Sequence, residues 1–193
     1  MAVVLSKGGS VSLTKEAGPR GLTSLTVGLG WDAGTPGGAP FDLDASALVV
    51  DANRRVLSDE HFVYYNNLQS PERGVTHAGD NLDGQGDGDD EQLRIELLDL
   101  QANAQSIVFV VSIHEADARG QSFGQVSNAF IRVVNNLDQQ ELARFDLSDG
   151  ASSEKAIVFG EVYRDGGEWK FRALGDGHAA GFLGILRDYG VNV

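Results

Sequence analysis

The chain has 193 residues, 41% of them apolar, which suits one domain with a sizeable core and excludes a disordered protein. Its 28 acidic residues against 15 basic ones leave a formal charge of −13, so phosphate backbones are repelled and DNA and RNA are poor partners. There is no cysteine, which excludes disulfides, thiolate zinc sites and cysteine nucleophiles.

The start, Met1 to Gly9, has no basic stretch followed by a long apolar one, so no signal peptide is expected. No apolar run approaches the roughly 20 residues that span a bilayer. A soluble, intracellular protein is expected. The chain then reads as short strands between glycine-rich and polar turns. Val11 to Thr14 alternates, and so does Leu25 to Trp31, with Gly28 and Gly30 on one side. Phe41 to Val50 begins in strict alternation and ends as an apolar run. Phe62 to Tyr65 is rich in strand formers, Gln92 to Leu97 alternates, and Ser106 to Ile113 is a β-branched run suited to a central strand. Phe130 to Val134, Glu141 to Asp146 and Ala156 to Tyr163 follow. Near the end, Glu161 to Arg164 and Glu168 to Arg172 predict a hairpin across Asp165-Gly166-Gly167, with Asp-Gly supplying the positive φ angles. Ala179 to Leu186 predicts a short terminal helix with Phe182, Leu183, Ile185 and Leu186 inward, and Ser122 to Ala129 a turn of helix. Period-two patterning at this density predicts a mainly all-β chain, a single-domain two-sheet antiparallel β-sandwich over 1–193 with a short C-terminal helix. Phe41 with Ser46 to Val49, and Phe123 with Asn128 to Ile131, share offsets and hint at an internal duplication.

The segment from Gly79 to Glu91 holds six acidic residues and four glycines in thirteen positions. Six carboxylates gathered together repel unless they stay in water, protonate or bind a cation. The glycines let the backbone curl so that oxygens converge. An all-oxygen, flexible, negative cage suits Ca²⁺ better than Mg²⁺, and zinc or copper would want more than the isolated His77. The segment is not an EF-hand: Gln92 stands where glycine should follow, and Leu98 where the closing glutamate belongs. Asp42 and Asp44, two apart in a strand, leave one face opposite Phe41, Leu43 and Ala45, and are expected to complete the cage. The polar loop His114 to Gly124 holds side chains of catalytic type. With no Gly-x-Ser-x-Gly elbow and no basic phosphate loop it is expected to be structural, or a secondary metal or partner surface, and the chain is not expected to be an enzyme.

With these stretches in view, the chain resembles the TerD family, named for bacterial tellurium resistance. The resemblance runs through Ser10 to Lys15, Val27 to Asp32, Phe41 to Ala47, Tyr64 to Leu68, Gly79 to Asn81, Gly86 to Glu91, Ile113 to Ala116, Gln121 to Gly124, Asn128 to Phe130 and Gly167 to Phe171. It covers essentially the whole chain and is similar to the short, single-domain form. It implies a cytoplasmic, Ca²⁺-binding β-sandwich acting in stress response within multi-protein complexes, with membrane contact only through partners. The family's acidic motif falls on Asp80, Asn81, Asp87, Asp89, Asp90 and Glu91, with Asp42 and Asp44 as its upstream partner. Leu82 to Gln85 is a variable stretch, and Asp83 is left out of the ligand set. A Ca²⁺-dependent interaction or sensor module is the expected function. A metal-assisted hydrolase or oxyanion-handling enzyme, and Ca²⁺ as a purely structural staple, are the alternatives.

Overall fold

The structure, a computed structural model, describes residues 2–32, 40–79, 88–147 and 153–193. Twelve strands are found among them: β1 Val3–Leu5, β2 Ser10–Ser12, β3 Ser24–Gly30, β4 Leu43–Val50, β5 Phe62–Val63, β6 Val75–His77, β7 Glu91–Glu96, β8 Ser106–Ile113, β9 Phe130–Asn135, β10 Gln140–Asp146, β11 Ala156–Asp165 and β12 Glu168–Gly177. Among the described residues three short α-helices join them, α1 Leu13–Ala17, α2 Ala116–Arg119 and α3 Gly181–Asp188, along with single 3-10 turns. The strands form two six-stranded sheets, ordered β1-β10-β9-β3-β7-β6 and β2-β12-β11-β8-β4-β5. Every named pairing is antiparallel except β1 beside β10.

The two patterns in the sequence mark two kinds of strand environment. In β7, Leu93 and Ile95 turn into the core between the sheets while Gln92 and Arg94 face water, so alternation survives. All eight residues of β8 are buried. Ile107, Phe109, Val111 and Ile113 enter the core between the sheets. Val108 and Val110 enter a second cluster with Ile185 and Leu186 of α3. The apolar run of β8 therefore reflects a strand covered on both faces.

The order of the strands agrees with the internal repeat. In the first sheet β3 lies between β9 and β7, with β10 beyond β9; in the second β8 lies between β4 and β11, with β5 beyond β4. Exchanging β3, β4, β5 and β7 for β8, β9, β10 and β11 maps one arrangement onto the other. Phe41 and Phe123, Ala47 and Ala129, and Val49 and Ile131 are all buried in the same core.

Several boundaries differ from expectation. Leu13 and Thr14 are helical, not extended, because the Ser12 hydroxyl accepts the Lys15 N–H at 3.2 Å and caps α1. The strand expected over Phe62 to Tyr65 stops at Val63, where Tyr64 and Asn67 exchange backbone hydrogen bonds in a tight turn. Positive φ at the terminal hairpin falls on Gly166 (56°) and Gly167 (82°), and Asp165 instead pairs with Glu168. In α3, Ile185 and Leu186 are buried, but Leu183 is exposed, contrary to the inward face expected of it. The short strands β1 and β6 carry too little pattern to have been expected.

Candidate functional site

The acidic segment connects β6 to β7, and both of its roots are tied to one residue of the facing sheet. Glu91 opens β7 in phase with Leu93 and Ile95, so its side chain points between the sheets and is 2% exposed. Its Oε2 accepts the Ala45 N–H at 2.6 Å. At the other root, His77 Nε2 donates to the Ala45 carbonyl at 3.2 Å. β5 pairs only with Ala47 and Leu48. Ala45 thus lies beyond its end, and its two backbone groups find partners from the other sheet. The Gly79 N–H donates to His77 Nδ1 at 3.1 Å. With one ring nitrogen accepting and the other donating, the bonding assigns a neutral imidazole carrying its proton on Nε2. His77 therefore has no nitrogen to offer a metal.

The C-terminal root crosses the outer face of the first sheet. A side chain on Gly28 would run into the Asp89 carboxylate, and one on Gly30 would meet the Phe130 ring and the Gly88 carbonyl. The glycines on one side of β3 are thus a lane for residues 88 and 89. Arg132 of β9 holds Asp89 in a bidentate pair, Nε to Oδ1 at 2.7 Å and Nη2 to Oδ2 at 3.1 Å, and reaches Glu141 at 3.1 Å. The hydrogen bond to Asp89 is the main cause holding the Arg132 guanidinium above its ordinary pKa. The Asp90 carboxylate accepts the Trp31 N–H at 2.9 Å.

Asp44 lies in β4 of the second sheet and Asp42 immediately before it, in the phase opposite to the core residues Phe41, Leu43 and Ala45. Both face the polar segment after β8. Asp44 Oδ2 lies 3.5 Å from His114 Nδ1, and Asp42 Oδ2 lies 3.9 Å from Arg119 Nη1. The Asp42 carbonyl accepts the His114 N–H at 2.8 Å.

Of the eight candidate ligands, Asp42, Asp44, Asp89, Asp90 and Glu91 are placed, and Asp80, Asn81 and Asp87 lie outside the described residues. Among the described residues no group of three or more histidines or acids stands close enough to hold a metal. Asp89 is tied to Arg132, Glu91 to Ala45 and Asp90 to Trp31, and Asp42 and Asp44, next in sequence to Ala45, face Arg119 and His114. The donors are all oxygen, the chemistry Ca²⁺ takes.

Sequence reasoning missed Arg132 and the double role of Ala45. Arg132 stands in the solvent-facing phase of an alternating strand, which marks it as exposed but names no partner. It also missed a buried cluster at His61, where Ser58 Oγ lies 2.8 Å from Nδ1 and Glu72 Oε2 lies 3.0 Å from Nε2. The Ser58 hydroxyl donates its single proton to Glu60 at 2.6 Å. In this arrangement His61 takes no proton from Ser58, as an activated nucleophile would require. The cluster ties the 58–61 turn to Glu72 and Gln101.

These features define a two-sheet β-sandwich with an acidic connection anchored against the facing sheet. A TerD domain model matches residues 1–189, and the chain belongs to the TerD family. Tellurium resistance protein TerD of Serratia marcescens is 54% identical over 192 residues, covering 100% of this chain and 99% of that protein. General stress protein 16U of Bacillus subtilis is 48% identical over 194 residues, 100% of both chains. Among solved structures, a homologue of telluride resistance protein (TerD), SCO6318 from Streptomyces coelicolor A3(2), matches with a TM-score of 0.69 at 25% identity. That match covers 86% of this chain and 95% of the other. The family is one of tellurium resistance and stress response. Among the described residues no helix is long and apolar enough to cross a membrane.

Proposed function

We propose that this protein is a Ca²⁺-dependent interaction or sensor module of the stress response, working in a multi-protein complex in the cytoplasm. The observation that carries the reading is the rooting of the acidic 79–91 segment on Ala45, the residue next to Asp44. Asp42 and Asp44, with Asp80, Asn81 and Asp87 of the connecting segment, would hold the ion, while Asp90 keeps the Trp31 N–H as its partner. Asp89 and Glu91 keep Arg132 and Ala45 as partners and anchor the C-terminal root. Bound there, Ca²⁺ supplies a fixed positive charge among carboxylates that otherwise repel. The chain's residues do the rest: the Gly28–Gly30 lane, Arg132 and His77 hold the ends of the segment. The lack of cysteine suits a reducing compartment.

Calorimetry and thermal melting of chelator-stripped protein test this. Binding to the folded state alone raises stability by about 2.7 kcal/mol when free Ca²⁺ is a hundred times Kd. Ca²⁺ is expected to release heat and raise Tm more than Mg²⁺ does, and Asp42→Asn with Asp44→Asn to weaken both effects. No heat and no Tm shift in millimolar Ca²⁺ removes the reading. A micromolar Kd supports sensing, and a far tighter one a permanent staple.

A further inference from the structure

A cleft of about 530 Å³ lies on the outer face of the second sheet, between the first turn of α3, the start of β4 and the end of β8. Its volume is in the range of small-molecule sites. One wall is apolar, made by Tyr64, Tyr65, Phe182 and Leu183. Tyr64 stacks on Phe62 with ring centroids 4.4 Å apart, and Tyr65 meets Tyr64 edge-on at 5.3 Å, so this wall is preformed. Leu183 is 52% exposed and Tyr65 39% exposed, leaving apolar surface at the cleft rather than in the core.

The facing wall is ionic. Asp44, Glu115 and Asp117 line it, with Lys155 as the one lysine or arginine among the lining residues. Lys155 is already bonded to Asp117 and Arg119 to Glu115 at 3.4 Å, and the His114 ring stands beside Asp44. Three carboxylates against the Lys155 ammonium and the Arg119 guanidinium still leave the wall net negative. Glu115 is held at φ 51° and ψ 31°, a left-handed backbone that non-glycine residues rarely adopt. That turn carries the chain from β8 into α2 and brings Glu115 and Asp117 to the same rim.

We propose that this cleft binds a small organic cation, its ammonium toward the Glu115–Asp117 rim and its aromatic or aliphatic body on Tyr65 and Leu183. An anion is repelled by the rim, and a bare metal ion makes no use of the apolar wall. The calcium reading shares Asp44 but neither Glu115, Asp117 nor the apolar wall, so the two readings fail separately.

The test uses the full chain in chelator, which keeps any metal away from Asp44. The probe is 2-phenylethylammonium, with the neutral 2-phenylethanol and the anionic phenylacetate as near-isosteres, followed by amide NMR shifts. The cation is expected to give saturable shifts at residues 64–65, 112–117 and 181–183, with the alcohol about tenfold weaker and phenylacetate silent. Glu115→Gln with Asp117→Asn should bring the cation down to the alcohol's affinity, and Leu183→Ser should weaken both. These side chains are at the surface, and unchanged spectral dispersion confirms folding. Equal binding of cation and anion, shifts scattered outside the cleft, or no saturation at millimolar probe overturns the proposal.

Discussion

Glu91 stands in phase with Leu93 and Ile95, and that alternation alone places its carboxylate on the buried side of a strand. What it does there depends on the facing sheet: it accepts the Ala45 N–H at 2.6 Å. Glu91→Ala removes that acceptor and leaves a buried gap, at a cost of about 2–4 kcal/mol. Glu91→Gln keeps an oxygen in place and should lose half of that or less. Urea unfolding in chelator measures both, and equal losses would show that charge, not the hydrogen bond, is what matters. Asp89 was legible only as one acid among several. Its bidentate pair with Arg132 joins positions 43 residues apart, and nothing local signals it.

The β11–β12 hairpin is the element most nearly predictable from local chemistry, yet its turn falls one residue later than Asp-Gly suggests. Asp165 pairs with Glu168, and the two glycines alone make the connection. A β-branched residue at Gly166, whose φ is 56°, should cost about 1–2 kcal/mol, while Gly166→Asn should be nearly neutral. Thermal melts of Gly166→Val and Gly166→Asn decide this; equal melting temperatures would mean the turn relaxes. The C-terminal helix is displaced by two residues from its expected span. Its pattern is apolar almost throughout, so only packing on Val108, Val110 and Val158 selects which face is covered.

Across the whole molecule, acidic residues outnumber basic ones nearly two to one, yet many carboxylates are held ionised by specific partners. The Glu168 carboxyl sits below its ordinary pKa of 4.5, chiefly through its hydrogen bond to Lys15 and then that to Ser12. Asp165 is lowered first by Lys170, Asp51 first by the Arg55 backbone N–H, and Asp59 by the Asn192 side chain and backbone. A carboxyl depressed in the folded state stabilises it fully above the unfolded pKa, and that stabilisation is lost as pH falls through the folded value. Stability should therefore fall as pH drops below about 4.5. Glu168→Gln should flatten part of that fall, with little change at neutral pH, where the pair is exposed and weak. Melting curves from neutral to acid compare the two, and an unchanged acid slope would show that the Glu168 contacts are not formed in solution.

The amino-acid sequence by itself determined the class of fold, the positions of most strands and the family, because side-chain alternation and turn residues act over a few neighbours and need no partner. It also marked Asp42, Asp44 and the 79–91 segment as the chemically unusual part of the chain. Only the tertiary structure decided that Ala45 receives both ends of that segment, that Arg132 claims Asp89, and that the glycines of β3 form the lane between them. Those outcomes depend on how two sheets stack and which strands lie side by side, and contacts across tens of residues leave no periodic trace along the chain.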